Sequence, residues 1–288
     1  MTHFKKILVV GATGMLGVPV TRSFVRAGFQ VSALVRGSAD SLPGEVAVKK
    51  GDIFDKASVD SAMEGAEVLY LNIGIQPTDR EDGALAEREG LKNLLDSAKS
   101  RGVKRVILLT PLAKAMEGRD GFTWWVFREK QRAERLIIDS GIPYTIFRAS
   151  SFFENLLGGM RRGNDINIAG KAQHPMWYIA ADDYAQMVVK SIQMPAAANR
   201  IYVAQGPESL FPEQLVRRFV SAYTRERLSV KSAPLGILTF FGFFSRPMAF
   251  TAKLLDALNR FPEAFDATEA WNELGKPSTT IEDFARNR

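Results

Sequence analysis

Along the first 150 residues the apolar positions alternate between two periods. The continuous apolar run KILVVGA at 6–12 fits a strand covered on both faces, and VKRVILLT at 103–110 reads as a further strand. Between such runs, PVTRSFVRAGF puts Val20, Phe24 and Val25 on one helical stripe and stops at Gly28. QVSALVR and VAVKKGD continue as second and third strands, KASVDSAMEGA as a short helix and EVLYLNIG as a fourth strand. ALAEREGLKNLLDSAKSRG predicts one long amphipathic helix ending at Gly102, its charges forming the solvated face. VFREKQRAERLIIDSG predicts another helix, between the fifth strand and a sixth, PYTIFRAS. Strand, helix and strand joined by short connections imply an α/β fold, a doubly wound parallel sheet with right-handed crossovers.

After Ser151 the pattern loosens. SFFENLLGGMRRGNDINIAG and residues 207–265 carry helical segments, Pro and Gly breaks and many aromatics. YIAADDYAQMVVKSI and NRIYVAQGPESL return to the earlier style. The expected division is a nucleotide-binding core at 1–150 with returns near 178–206, and a smaller substrate-binding lobe from 151–177 and 207–288. The most apolar stretch, 234–255, has a clean core of Leu235 to Phe244, about half of the ~20 residues a spanning helix needs, and Arg246-Pro247 breaks it. It reads as a substrate lid or core helix rather than a transmembrane segment, with a membrane-contact surface at 235–250 as the weaker alternative. MTHFKK is too short for a signal peptide, so a cytoplasmic location is expected.

The first strand runs into Gly11-Ala-Thr13-Gly14-Met15-Leu16-Gly17. Gly11 permits a tight turn, Gly14 lets backbone approach a pyrophosphate, and Gly17 lets helix and strand pack closely. The helix N-terminus then offers free N–H groups to phosphates. Lying between a strand and a helix, the motif has the context of a Rossmann-type dinucleotide site. An NAD site usually carries an acid about 20 residues past the glycines, for the ribose 2′-hydroxyl. Here ALVRGS places Arg36 there, and a guanidinium suits a 2′-phosphate, so NADP(H) is favoured over NAD(H). Asp52 and Ile53, after the third strand, suit the adenine. Asn72, Ile73 and Gly74 end the fourth strand and Thr110 the fifth. All should line one crevice outside the carboxyl ends of the strands.

Composition narrows the chemistry. The 288 residues contain no cysteine and two histidines, His3 and His174, which excludes disulfides, thiolate nucleophiles and Cys-ligated metals and argues against any metal site. The net charge of +6 is spread among 32 acidic residues with no long basic run, so nucleic-acid binding is not expected.

Taken in order, GATGMLG, ALVR, KGDIFD, GVKRVILLT, KQRAERLIIDSGIPYTIFRASSFFEN, YIAADDYA and LGKPSTTIEDFA resemble the NmrA-like group of atypical short-chain dehydrogenase/reductases over nearly the whole chain. The segment from Lys130 to Asn155 is the most specific part. The resemblance implies that Gly11, Thr13, Gly14, Met15, Leu16, Arg36, Asp52, Lys130 and the loop Ser150–Asn155 touch NADP, with Phe152 and Phe153 near the nicotinamide or substrate. The group includes reductases of quinones, dyes, aromatic ethers and isoflavone-like compounds, and also cofactor-sensing regulators.

Short-chain dehydrogenases typically use Tyr-x-x-x-Lys, the Tyr hydroxyl giving the proton and the Lys lowering its pKa. Lys130 is in place here, but Val126 stands four residues before it, and residues 71–143 contain no tyrosine. The candidate catalytic residues are therefore Lys130 and, as helper, Thr110, unless protonation comes from water or no chemistry occurs. Trp124, Trp125, Phe127, Phe152, Phe153, Trp177 and Tyr178 flank the expected nicotinamide end; with Asn155 they suit a small planar substrate. Asp182 and Asp183 read as helix-terminal acids, His174 as a loop residue and Glu134 as the i,i+4 partner of Lys130. The resulting expectation is an NADP-dependent reductase of a planar carbonyl- or quinone-like compound. The alternative is a non-catalytic NADP-sensing protein that binds a protein partner.

Overall fold

The alternating periods assemble into a parallel sheet sandwiched by helices. The computed structural model describes residues 4–288, and His3 lies outside them. In chain order the first half comprises β1 (Lys6–Val10), α1 (Gly17–Arg26), β2 (Gln30–Val35), β3 (Ala47–Lys50), α2 (Lys56–Ala62) and β4 (Val68–Leu71). It continues with α3 (Leu91–Ser100), β5 (Arg105–Pro111), α4 (Trp125–Asp139) and β6 (Tyr144–Ala149). The second half comprises α5 (Asn155–Gly158), β7 (Arg161–Arg162), β8 (Asp165–Ala169), α6 (Ala181–Gln193), β9 (Arg200–Ala204) and α7 (Pro212–Ala222). It ends with β10 (Ser229–Ala233), α8 (Leu235–Gly242), α9 (Arg246–Arg260), α10 (Thr268–Leu274) and α11 (Ile281–Arg286).

Seven strands pair in the order β3-β2-β1-β4-β5-β6-β9, every neighbour parallel. The order reverses between β1 and β4, where a crevice opens at the carboxyl ends. The strands are apolar on both sides because both faces are covered: β4 is buried throughout and β5 along six of its seven residues. On one face Val9, Phe24, Tyr70, Phe147 and Tyr184 pack with α1 and α6; on the other Leu8, Leu69, Leu94, Leu108 and Ile137 pack with α2, α3 and α4.

Within 178–206 lie α6 and β9, the latter the seventh strand of the sheet. The stretch from Met160, read as helical, instead forms a small sheet in which β8 pairs with β7 antiparallel and with β10 parallel. Its underside meets α7 and α11 in a separate core around Phe153, Ile166, Phe219 and Phe284. Arg218 pins α7 to α11 by double ion pairs to Glu208 and Glu282. α10 joins the main core instead of this lobe, since Ala270 and Leu274 pack with the α6 side.

Two further expectations are corrected. The long helix ending at Gly102 begins as a π-turn over Ala86–Gly90 before α3. Gly90 presses on Ile53, where a Cβ would stand 2.6 Å from Cδ1, and the widened turn places Glu87 inside the protein. The apolar stretch 234–255 becomes two helices; α9 packs inward through Ala252 and Ala257, but α8 buries none of its residues. It is not a core helix.

Candidate active site

The glycine loop is fixed by contact as much as by conformation. Gly11 has φ +84°, and a Cβ there would lie 2.1 Å from the carbonyl oxygen of Asn72. A Cβ on Gly17 would lie 2.0 Å from the carbonyl oxygen of Gly11. The β1 and β4 ends therefore close on each other at the switch point, and α1 starts directly against the turn. The amide of Gly14 donates to Gly11 O at 3.2 Å, leaving Thr13, Gly14 and Met15 exposed at the head of α1. No side chain caps that helix and no acid sits in its first turn. Unpaired amides and the helix dipole there suit a pyrophosphate.

Arg36 follows β2, exposed and without an ion pair among the described residues. Asp52 is held in its loop: Oδ1 accepts from the amide of Phe54 at 3.0 Å, and its own amide donates to Ser58 Oγ at 3.0 Å. Ile53 packs against Gly90 and the core on the α2–α3 side of the sheet.

A cleft of about 270 Å³ lies beyond these strand ends. It brings together eight of the predicted residues: Leu16, Asn72, Ile73, Thr110, Lys130, Ser150, Phe152 and Asn155. Gly74 adjoins it, its Cβ position lying 3.9 Å from Lys130 Nζ. The far wall is Met176, Leu254 and Leu258, closed by Glu263. Sequence reasoning missed these last four. Only the apolar pattern of α9 hinted at Leu254 and Leu258; Glu263 sits in an irregular loop with no local signature.

The polar groups in the cleft are differently engaged. Lys130 Nζ pairs with Glu87 Oε1 at 2.6 Å, not with Glu134. Glu134, one turn on, is taken up instead by Lys114 at 2.7 Å and Arg148 at 2.8 Å. Burial pulls the Lys114 ammonium below its usual range despite that carboxylate. Thr110 is buried and its hydroxyl has no partner. Ser150 Oγ donates to Glu263 Oε2 at 2.8 Å, and Glu263 Oε1 accepts from Gln205 Nε2 at 2.8 Å and from the Trp177 amide at 3.4 Å. Burial raises the Glu263 carboxyl above the ordinary range, with the Gln205 and Ser150 hydrogen bonds opposing it.

Other predicted positions lie away from the cleft lining. Phe153 is 1% exposed and packs on Tyr178 and Phe284 in the lobe core. Phe152 bridges to Ile179, whereas Phe153 begins the turn that follows, so the two side chains part. Trp124 and Phe127 stack on each other and support α9 through Phe250. Trp125 packs beside them, and Trp177 stacks on Phe265. Among the described residues no tyrosine lines the cleft. Tyr70 and Tyr184 share a 3.3 Å contact in the core, where burial drives both hydroxyls far above their usual range, and Tyr178 is likewise desolvated. Asp183 accepts from the amides of Ser278 and Thr279, and Asp182 meets Arg288, so these acids tether the C-terminal segment instead of capping α6. His174 is half-buried in its loop, and among the described residues no cluster of acids and histidines could hold a metal.

The model of the NmrA-like family matches residues 3–284. The photosystem II assembly factor Ycf39 of Cyanophora paradoxa is 27% identical over 70% of this chain; the match spans 64% of that protein's length. The NAD(P)H azoreductase of Xenophilus azovorans is 26% identical over 71% of this chain and 69% of its own. Among solved structures, the NADPH-dependent quinone oxidoreductase QOR2 of Escherichia coli, complexed with NADPH, superposes with TM-score 0.70 at 22% identity, covering 98% of this chain and 99% of that one.

Proposed function

The chain belongs to the NmrA-like family, and on that premise we propose that it is an NADP(H)-dependent oxidoreductase reducing a small planar carbonyl- or quinone-like compound. The cofactor, when bound, supplies the hydride. The observation that carries the reading is the cleft at the switch point, which joins an anion-binding helix start to an apolar chamber holding an acid–base pair.

The exposed turn from Thr13 to Met15 at the head of α1 holds the pyrophosphate, and Arg36 takes the 2′-phosphate in a charge-assisted contact. Asn72, Ile73 and Thr110 floor the nicotinamide end; the unpartnered Thr110 hydroxyl is free to bond a carboxamide or a substrate oxygen. Phe152, Met176, Leu254 and Leu258 give the chamber flat, apolar walls that exclude water and suit a planar ring. Lys130, held by Glu87, is placed to bind ribose. The proton comes through Ser150: with Glu263 protonated, the state burial favours, the Ser150 hydroxyl turns from Glu263 Oε2 to the reduced substrate oxygen, gives it its proton and accepts the carboxyl proton in return. This assigns to Glu263 the task that a tyrosine performs in the Tyr-x-x-x-Lys enzymes.

Single-turnover oxidation of bound NADPH by a panel of quinones, azo dyes and aromatic aldehydes tests the proposal. Loss of the reduced-nicotinamide absorbance with any planar acceptor is expected. Tight NADPH binding without oxidation across the panel overturns it and favours the second reading, an NADP-sensing protein that engages a protein partner. That reading draws on the missing cleft tyrosine and on the ion-paired Lys130.

A further inference from the structure

The helix pair α8–α9 presents an aromatic surface that the fold leaves uncovered. Phe243 and Phe244 are 82% and 80% exposed, and Phe240 is 59% exposed. Ile237, Phe241 and Met248 extend the same patch. Phe240 stacks on both Phe241 and Phe244, so the rings form one cluster on the outside of the protein. Patches of this kind on a folded protein mark a contact site.

The pair is built to hold that patch rigidly. A Cβ on Gly242 would stand 3.0 Å from Ala249 Cα, so the two helices touch backbone to backbone near their turn. α9 is fixed below by Phe250 against Trp124 and by Lys253 over the Phe122 ring. With α9 anchored, α8 rides on its outer side and touches the turn after β8 through Leu235, whose Cβ lies 3.2 Å from where a Cβ on Gly170 would stand.

Charge selects the occupant. Residues 227–255 carry Arg227, Lys231, Arg246 and Lys253 and not one acid. Arg227, Lys231 and Arg246 are exposed, Lys231 in the strand before α8 and Arg246 at the start of the helix after it, where Asp82 is its acidic neighbour. A second copy docking through the same face would set these cations against their own equivalents, which opposes a two-fold pairing. An anionic surface meets them favourably. Aromatics seated at headgroup depth with cations alongside are the pattern of a helix lying in a membrane interface. Among the described residues no helix is long and apolar enough to cross a membrane, which leaves surface attachment.

We propose that α8 and the α8–α9 turn dock this protein onto an anionic lipid bilayer, with Phe240, Phe243 and Phe244 inserted among the headgroups and Lys231 and Arg246 on the phosphates. The inference stands independently of turnover in the cleft. It has one geometric consequence: Leu254 and Leu258 wall the cleft from α9, so a docked bilayer lies against the helix that closes the substrate chamber.

Co-sedimentation of the full chain with vesicles tests this, comparing phosphatidylcholine alone with phosphatidylcholine containing phosphatidylglycerol. Binding to the phosphatidylglycerol vesicles that falls with added salt is expected. The double variant Phe243→Ser, Phe244→Ser should lower the partition coefficient by about tenfold or more, and Lys231→Glu with Arg246→Glu should abolish the preference for anionic lipid. NADPH affinity should be unchanged in both variants, which separates lost docking from lost folding. No vesicle binding, or binding insensitive to the two Phe substitutions, overturns the proposal. So does a concentration-dependent dimer, seen by sedimentation, that those substitutions dissolve.

Discussion

Ser150 Oγ donates to Glu263 Oε2 at 2.8 Å, joining the end of β6 to a loop 113 residues later. The contact places a desolvated carboxyl at the edge of a cleft that no tyrosine enters. Glu263→Gln keeps the shape and the hydrogen-bond acceptor but removes the exchangeable acid. Single-turnover reduction should slow by about 10²-fold or more, with NADPH affinity little altered. The pH profile should lose its fall toward high pH, because the wild-type carboxyl supplies a proton only below its raised pKa. A parallel loss of NADPH affinity would instead make Glu263 structural.

Arg36 stands free at the end of β2. Arg36→Ala should weaken NADPH binding by about tenfold or more, the worth of a charge-assisted contact, while NADH binding barely moves. Titration of both nucleotides checks this; equal losses would sink the 2′-phosphate assignment.

Gly17 has no room for a methyl group. In Gly17→Ala the added carbon would meet the Gly11 carbonyl 2.0 Å away, so α1 must shift off β1. Denaturant unfolding should report a loss of about 2 kcal/mol or more, and nucleotide binding should fail, since the helix start is displaced from the turn.

Glu154 is buried beside the start of α6, accepting from the Ala181 amide at 3.1 Å and from Arg288 at 3.0 Å. Burial outweighs these contacts and pushes its carboxyl from 4.5 up to about 7. The folded state therefore holds this proton more firmly than the unfolded chain does, and stability falls as pH rises between 4.5 and about 7. The loss from this group is on the order of 3 kcal/mol. Glu154→Gln should flatten that slope; denaturation midpoints measured below and above the window decide it, and an unchanged slope would contradict the assignment.

Much of the fold was legible because it is written in local periods. Runs such as ILVV of β1 and VLYL of β4 are apolar at every position, so they are strands buried on both faces wherever they sit. The glycine turn is equally local: Gly11, Gly14 and Gly17 meet their constraints within one loop and one helix start. The small sheet of β7, β8 and β10 was not legible, since β8 is completed by a strand some sixty residues on, with which it pairs from Asp165 to Ser229. Nor was the π-turn at Ala86–Gly90, which depends on Ile53 pressing on Gly90.

At the site the division follows the same physical line. The sequence by itself determined the parallel sheet, the glycine turn at the start of α1, the absence of a tyrosine before Lys130 and the cationic, aromatic character of 227–255, because each depends on residue type and short-range spacing. Only the tertiary structure decided that Lys130 pairs with Glu87, that Phe152 faces the cleft while Phe153 faces the lobe core, and that Glu263 reaches Ser150. The chain turns after Phe152, and which of the two adjacent rings meets the cleft depends on what the rest of the chain brings there. Partners in an ion pair or hydrogen bond across the molecule are chosen by packing, on which local sequence is silent.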